Sequence, residues 1–85
     1  MTGRKTRERA RWRCRRGMKE LDVLLERFVR RALDRLDAEE IEALERLLDQ
    51  PDQDILEWIT SPEAVPPTGL GGIVVLIRTH ALGRY

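Results

Sequence analysis

Cys14, His80, Glu20 and Asp22 carry the thiol, imidazole and carboxylate groups from which an active site would have to be built. A cysteine nucleophile needs a base beside it, and the only histidine follows an apolar run near the other end of the sequence. The arginines around Cys14 could lower the pKa of its thiol, but they supply no base. Glu20 and Asp22 are two residues apart, so on a helix they point to different faces and form no acid–base pair. We therefore predict no catalytic residue and a protein that is not an enzyme.

Metal and nucleotide sites are equally poorly supported. The sequence has no Cys/His cluster that could hold zinc, and "GLGG" at 69–72 lacks the preceding strand and the Lys/Ser of a phosphate-binding loop. We interpret His80 as a surface or helix-capping residue. A single cysteine excludes an internal disulfide and indicates a reducing compartment, which we expect to be a bacterial cytoplasm. The longest apolar run, "IVVLI" at 73–77, is far shorter than the roughly 20 residues of a membrane span.

The stretch "RRGMKELD" at 15–22, together with the residues before it, favours binding instead. Arg9, Trp12 and Arg16 share one quarter of a helix at about 100° per residue, and Trp and Arg are the residue types that most often carry interface energy. Glu20 would lie near this face if the flanking helices form a hairpin. These four side chains predict a surface that docks on another protein.

An internal role is the alternative for the same residues. Asp22 could form an ion pair with Arg16 that only orders the hairpin, and for Asp22 we favour that interpretation because a carboxylate on a buried stripe is costly unless it is paired. For Arg16 and Glu20, a structural role and a partner-binding role remain equally open.

Charge is divided unevenly along the chain. Residues 1–22 carry nine Lys/Arg and three acids, whereas residues 23–63 carry five Lys/Arg and twelve acids. The basic segment could bind an anionic partner, such as nucleic acid through its phosphates, or it could lie against the acidic helices of the same chain. Both interpretations are open at this point. A nucleic-acid-binding or antitoxin-type regulatory protein is the alternative function.

Helical periodicity predicts the elements that hold these residues. Residues 4–15 predict a first helix, with Thr6, Ala10 and Cys14 forming a narrow strip for close packing, and Gly17 is expected to end it as a left-handed residue. The second helix has a core-facing stripe that also contains Asp22. That stripe comprises Met18, Leu21, Leu25, Phe28, Val29, Ala32 and Leu36.

Capping signals and turn residues predict three more helices. Asp37 and Glu40 have capping-box spacing at the start of the third, and Asp52 is expected to cap a short fourth helix with Trp58 partly inward. The final segment, "LGGIVVLIRTHAL", could be a strand, but no second strand pattern exists to pair with it, so a fifth helix is favoured. We predict an all-α bundle of about five short helices in a single domain spanning 1–85, with a flexible basic arm at 1–5 and a flexible tail at 80–85.

With these elements in place, the chain resembles the SdhE/YgfY family of succinate dehydrogenase assembly factors. The similarity runs from about Arg9 to Arg78 and rests on "ARWRCRRGMKELD", the acidic third helix and "LLDQPDQDILEWI". Its central signature is R-G-x-x-E, present here from Arg16 through Gly17 to Glu20. The chain departs from the family in its very basic "MTGRKTR" start and in the apolar "GGIVVLI" segment near its end.

The resemblance implies a small five-helix chaperone that binds the immature flavoprotein subunit of succinate dehydrogenase and promotes covalent attachment of FAD to it. The related fumarate reductase subunit is a second implied partner. The cofactor would belong to the partner, with none bound tightly by this protein, which is expected to act as a monomer without contacting a membrane. The implied partner-binding residues are Arg9, Trp12, Arg15, Arg16, Gly17 and Glu20, while Asp22 and Trp58 are structural or partner-binding.

Overall fold

The computed structural model describes residues 3–83, with side chains from Lys5 onward, and this part of the chain is helical without strands. The five helices are α1 (Gly3–Arg13), α2 (Lys19–Ala32), α3 (Ala38–Leu48), α4 (Asp52–Thr60) and α5 (Gly71–Ala81). A short 3-10 turn, Leu33–Arg35, follows α2. The predicted all-α architecture is confirmed. Of the predicted arm and tail, residues 1–2 and 84–85 lie outside the described residues; residues 3–5 belong to α1, and α5 ends at Ala81.

The apolar stripe of α2 is the centre of the core. Leu21, Leu25, Phe28 and Ala32 are all buried on it, because positions three and four apart fall on one face of a helix. This face packs mainly on α5 and also on α4, while α1 lies across α3 and the 3-10 turn. The strip of small residues on α1 does what its spacing predicted, since Ala10 and Cys14 are buried in the same core.

Helix α3 begins with the predicted capping box. The Asp37 carboxylate accepts the Glu40 amide at 2.8 Å, and the Glu40 carboxylate accepts the Asp37 amide at 2.9 Å. The predicted cap of α4 is wrong: Pro51 occupies the N-cap position without a side-chain bond, and Asp52 is the first helical residue. Asp52 is instead bound by Arg16 at 2.7 Å, so a contact between distant parts of the chain replaces the local cap.

The ambiguous last segment is a helix, as favoured. Ile73, Val74, Ile77 and Ala81 are its buried residues, which is a helical stripe rather than the alternation of a strand. Arg78 ties α5 to the end of α4 by donating to the carbonyl of Trp58 at 2.7 and 3.0 Å.

Trp58 itself is half-buried against the core, as its position predicted. Within residues 3–83, no helix has the length and apolar character needed to cross a membrane.

Candidate partner-binding site

The site is built around the turn that joins α1 to α2. Gly17 has φ +84°, a left-handed conformation that glycine adopts without the penalty of a Cβ, so its predicted backbone conformation is confirmed. Helix α1 already ends at Arg13, earlier than the predicted end at residue 15, so Gly17 shapes the turn that follows the helix and does not cap it. The Asp22 carboxylate closes the turn from inside α2: one oxygen accepts the Arg16 amide at 2.7 Å and the other accepts the Gly17 amide at 3.1 Å. These bonds satisfy a carboxylate that the sequence placed on the apolar stripe, and they fix the shape of the turn.

The Arg16 guanidinium does not form the ion pair with Asp22 that the sequence suggested. Its Nε donates to Asp52 at 2.7 Å, and its other nitrogens donate to the carbonyls of Arg13 at 3.1 Å and Gln50 at 3.4 Å. The Arg16 side chain is only 17% exposed. Arg16 therefore connects the turn to the junction of α3 and α4, and its guanidinium does not project outward beside Trp12.

The basic face of α1 lies on acidic residues of the same chain. Arg9 makes a two-pronged contact with Glu45 on α3 at 3.1 Å, and Arg13 pairs with Glu45 and Asp49. Nearer the 3-10 turn, Arg11 pairs with Asp34 at 3.3 Å. Of the two interpretations of the basic segment, the structure supports packing on the chain's own acids. These arginines are already neutralised by carboxylates, which weakens the case for a phosphate-binding arm.

A different set of side chains faces outward. Trp12 is 66% exposed, and the Arg15 guanidinium carbon lies 5.2 Å from the centroid of its ring, a cation–π arrangement. Gly17 and Glu20 are also exposed. We call these four residues, Trp12, Arg15, Gly17 and Glu20, the motif face.

Glu20 differs from Asp22 in having no bound partner. Within residues 3–83 its carboxylate makes no hydrogen bond or ion pair. Glu20 was expected to lie near the arginines of the first helix, but among the described side chains it forms no ion pair with them. At about 100° per residue, Glu20 lies roughly 160° around α2 from Asp22. Glu20 is therefore available to an external group, whereas Asp22 is committed to the turn.

Cys14 and His80, the thiol and the imidazole considered for catalysis, both pack against other parts of the protein. Cys14 is 4% exposed, and burial raises the pKa of its thiol to about 11 even though Arg16, Arg13 and Arg11 act in the opposite direction. At neutral pH the thiol is protonated and shielded, which makes it a poor nucleophile. His80 lies in the last turn of α5, with its ring 6.3 Å from that of Phe28.

Sequence reasoning missed two features of this site. The Arg15–Trp12 pair has helical i, i+3 spacing, so its signal was present in the sequence. The role of Asp52 was hidden, because its partner Arg16 is 36 residues away along the chain.

Comparison with known proteins identifies the family. The family model described as "Flavinator of succinate dehydrogenase" matches residues 8–81, which include the turn, the motif face and all of α2 to α5. The chain belongs to this family. The resemblance noted from the sequence is thereby confirmed, and the motif face lies within the part of the chain that the family model matches.

Individual family relatives agree. The chain is 40% identical over 73 residues to the FAD assembly factor SdhE of Shewanella oneidensis, covering 86% of this chain and 89% of that protein. It is 40% identical over 67 residues to the protein of the same name from Legionella pneumophila strain Paris, covering 79% and 84%. A mitochondrial relative, succinate dehydrogenase assembly factor 2 of Debaryomyces hansenii, is 44% identical over 52 residues, which span 61% of this chain and 37% of the relative.

Proposed function

We propose that this protein is an assembly factor that binds the immature flavoprotein subunit of succinate dehydrogenase and promotes covalent attachment of FAD to it. The family match over residues 8–81 carries the proposal. The names of the relatives from Shewanella and Legionella, both FAD assembly factors, support it.

The motif face is the proposed contact with that subunit. It combines an exposed tryptophan stacked with an arginine, an exposed glycine and an unpaired carboxylate. A flat aromatic side chain and an arginine supply interface energy, and the absence of a side chain at Gly17 lets a partner approach the backbone. Arg16 contributes by holding the turn. Arg9 keeps its proposed contact role, since its side chain is 62% exposed despite the bond to Glu45.

The proposed mechanism is preferential binding, without chemistry by this chain. By binding the arrangement of the subunit in which FAD and its attachment residue are aligned, the protein raises the population of that arrangement, up to the limit set by its differential affinity. FAD belongs to the partner and is not bound tightly here. The contact is charge-assisted and should weaken with salt, which suits a factor that acts as a monomer and must leave again.

The test is the covalent flavin of the cognate subunit, read as fluorescence of the denatured band in a gel. A strain lacking the gene is complemented with wild type, Glu20→Ala or Glu57→Ala. Glu57 on α4 is the matched control, because it is also exposed and has no bound partner in the described part of the chain. We expect wild type and Glu57→Ala to restore fluorescence and Glu20→Ala to fail. Undiminished fluorescence in the deletion strain would refute the assembly function.

Three finer points belong to the same proposal. The related fumarate reductase subunit is a second client, testable by reading its flavin band in the same strains. The action takes place in a bacterial cytoplasm, in keeping with the bacterial relatives, and cell fractionation checks this location. Titration of the purified protein with FAD should leave flavin fluorescence unchanged. Binding of FAD to this protein with micromolar affinity would contradict the proposal that only the flavoprotein subunit binds the cofactor.

A further inference from the structure

A second surface lies away from the motif face, in a groove between α3 and the first turns of α5. Its apolar lining includes Ala43, Val75 and Leu76. Val75 is 55% exposed, so the rest of the chain covers its apolar side chain only in part. The groove is thus an apolar surface that the fold of this chain leaves uncovered.

Two glycines leave the backbone exposed along one wall of the groove. Gly71 and Gly72 form the start of α5 and border the groove. A Cβ placed on either glycine would meet no heavy atom within 4 Å, so neither glycine is required by close packing inside the molecule. An approaching segment could therefore contact the backbone here without displacing any side chain.

The opposite wall is acidic. Glu39 has no bound partner within residues 3–83, and Glu42 has only a 3.9 Å approach to Arg46, with its side chain 79% exposed. An exposed pair at this distance contributes little and is screened by salt. Arg46 also lines the groove, but it is one cation against three glutamates, Glu39, Glu40 and Glu42. The groove therefore presents apolar side chains beside a net negative charge.

This groove and the motif face are separate. Arg16 of the turn reaches the carbonyl of Gln50, beyond the C-terminal end of α3, whereas the groove acids Glu39 and Glu42 lie in the N-terminal half of this helix. Because α3 has 11 residues, a rise of 1.5 Å per residue places the two ends of this helix roughly 15 Å apart. One partner of ordinary size can contact both.

We propose that the groove binds a second segment of the flavoprotein partner, a lysine- or arginine-bearing amphipathic segment whose apolar side packs on Val75 and whose cations face Glu39 and Glu42. This inference rests on the proposed function for the identity of the partner. Charge complementarity selects the basic segment. A second copy of this chain is a poorer match, because Arg9, Arg11 and Arg13 on its most basic helix are already paired with their own carboxylates.

Binding of the purified apo-flavoprotein subunit tests the inference by calorimetry. The variant is Glu39→Lys/Glu42→Lys, and the matched control is Asp54→Lys/Glu57→Lys, which reverses two exposed acids at the same i, i+3 spacing in the first turns of α4. We expect the groove variant to weaken binding roughly tenfold through lost attraction and new repulsion, with the control within about twofold of wild type. Circular dichroism of both variants checks that the helices remain.

If the groove variant and its control lose the same affinity for the subunit, the effect is one of net charge and the groove is not a binding site. Loss with Glu20→Ala but none with the groove variant would overturn the groove while the proposed function stands. A wild-type protein that does not bind the subunit would overturn both. As an independent readout, a photo-crosslinking benzoylphenylalanine placed at Val75 should capture a Lys/Arg-bearing peptide of the subunit; capture of a second copy of this chain, or of no peptide, would refute the assignment.

Discussion

Arg16 is the residue of the R-G-x-x-E sequence for which the structure makes the sharpest prediction. Its guanidinium donates to Asp52 at 2.7 Å and to two main-chain carbonyls, with 17% of the side chain exposed. Arg16→Ala removes all three bonds and leaves the Asp52 carboxylate, itself only 29% exposed, without its cation. Glu20→Ala removes an exposed side chain that has no bound partner in the described residues.

The expected magnitudes therefore differ. A hydrogen bond to a charged group contributes about 1.5–3 kcal/mol, and the bond to Gln50 at 3.4 Å is too long to add much. We expect Arg16→Ala to lower the free energy of unfolding by about 2–3 kcal/mol, and Glu20→Ala to change it by less than about 0.5 kcal/mol. With a urea slope of about 1 kcal/mol per molar for a small domain, the midpoint should fall by roughly 2–3 M for Arg16→Ala only. A wild-type midpoint for Arg16→Ala would refute the reasoning that this side chain holds the turn.

Asp52→Ala then separates positioning from direct contact. If Arg16 acts by fixing the turn through Asp52, removing the carboxylate on α4 should lower covalent flavin nearly as much as Arg16→Ala, measured at a temperature where both variants are folded. If Arg16 instead reaches out to the partner, Asp52→Ala should leave flavin attachment intact, because the freed guanidinium remains available.

Three further predictions concern the turn and its surroundings. Gly17→Ala and Gly17→Leu should lower the urea midpoint alike, since both face the cost of φ +84° and a Cβ at this position meets no internal heavy atom within 4 Å. Only flavin attachment should fall further with Leu, and a much less stable Leu variant would contradict this. The free energy of unfolding should decrease above about pH 9, because the Cys14 thiol ionises near 9.0 when unfolded but its pKa is about 11 when buried. That loss should reach about 1.4 kcal/mol near pH 10 and should disappear in Cys14→Ala; an identical pH profile for that variant would assign the effect elsewhere. Trp12→Ala should leave the free energy of unfolding within about 0.5 kcal/mol of wild type, because the ring is 66% exposed, yet it should lower covalent flavin. Full flavin attachment in this variant would remove Trp12 from the interface.

Local rules explain what the sequence could predict. The capping box at Asp37 and Glu40, the apolar stripe of α2 and the left-handed Gly17 each depend on residues within a few positions of one another. Such signals are readable from spacing alone. The helical state of the last segment required a non-local consideration, the lack of a partner strand, and its buried stripe shows why the β-branched residues did not prevent a helix.

Tertiary contacts explain what the sequence could not predict. The arginines of α1 find their carboxylates 36 positions away in Glu45 and Asp49, and no spacing rule connects them. Asp52 had a local expectation as a helix cap, but the bond to Arg16 determines its role. Composition predicted that a basic segment and an acidic body coexist, but only the packing of α1 on α3 shows that they neutralise each other.

The two carboxylates of the motif have separate roles because they sit on different sides of one helix. Asp22 accepts two amides of the turn and thereby keeps Gly17 exposed in a defined conformation, while Glu20 is left unpaired among the described residues. A partner that binds the turn meets a backbone already ordered by Asp22 and Arg16, so little conformational entropy is lost there on association. For the proposed contact, this preorganisation would let a small surface recognise its partner specifically. It requires that the acid that shapes the turn and the acid that remains available be different residues.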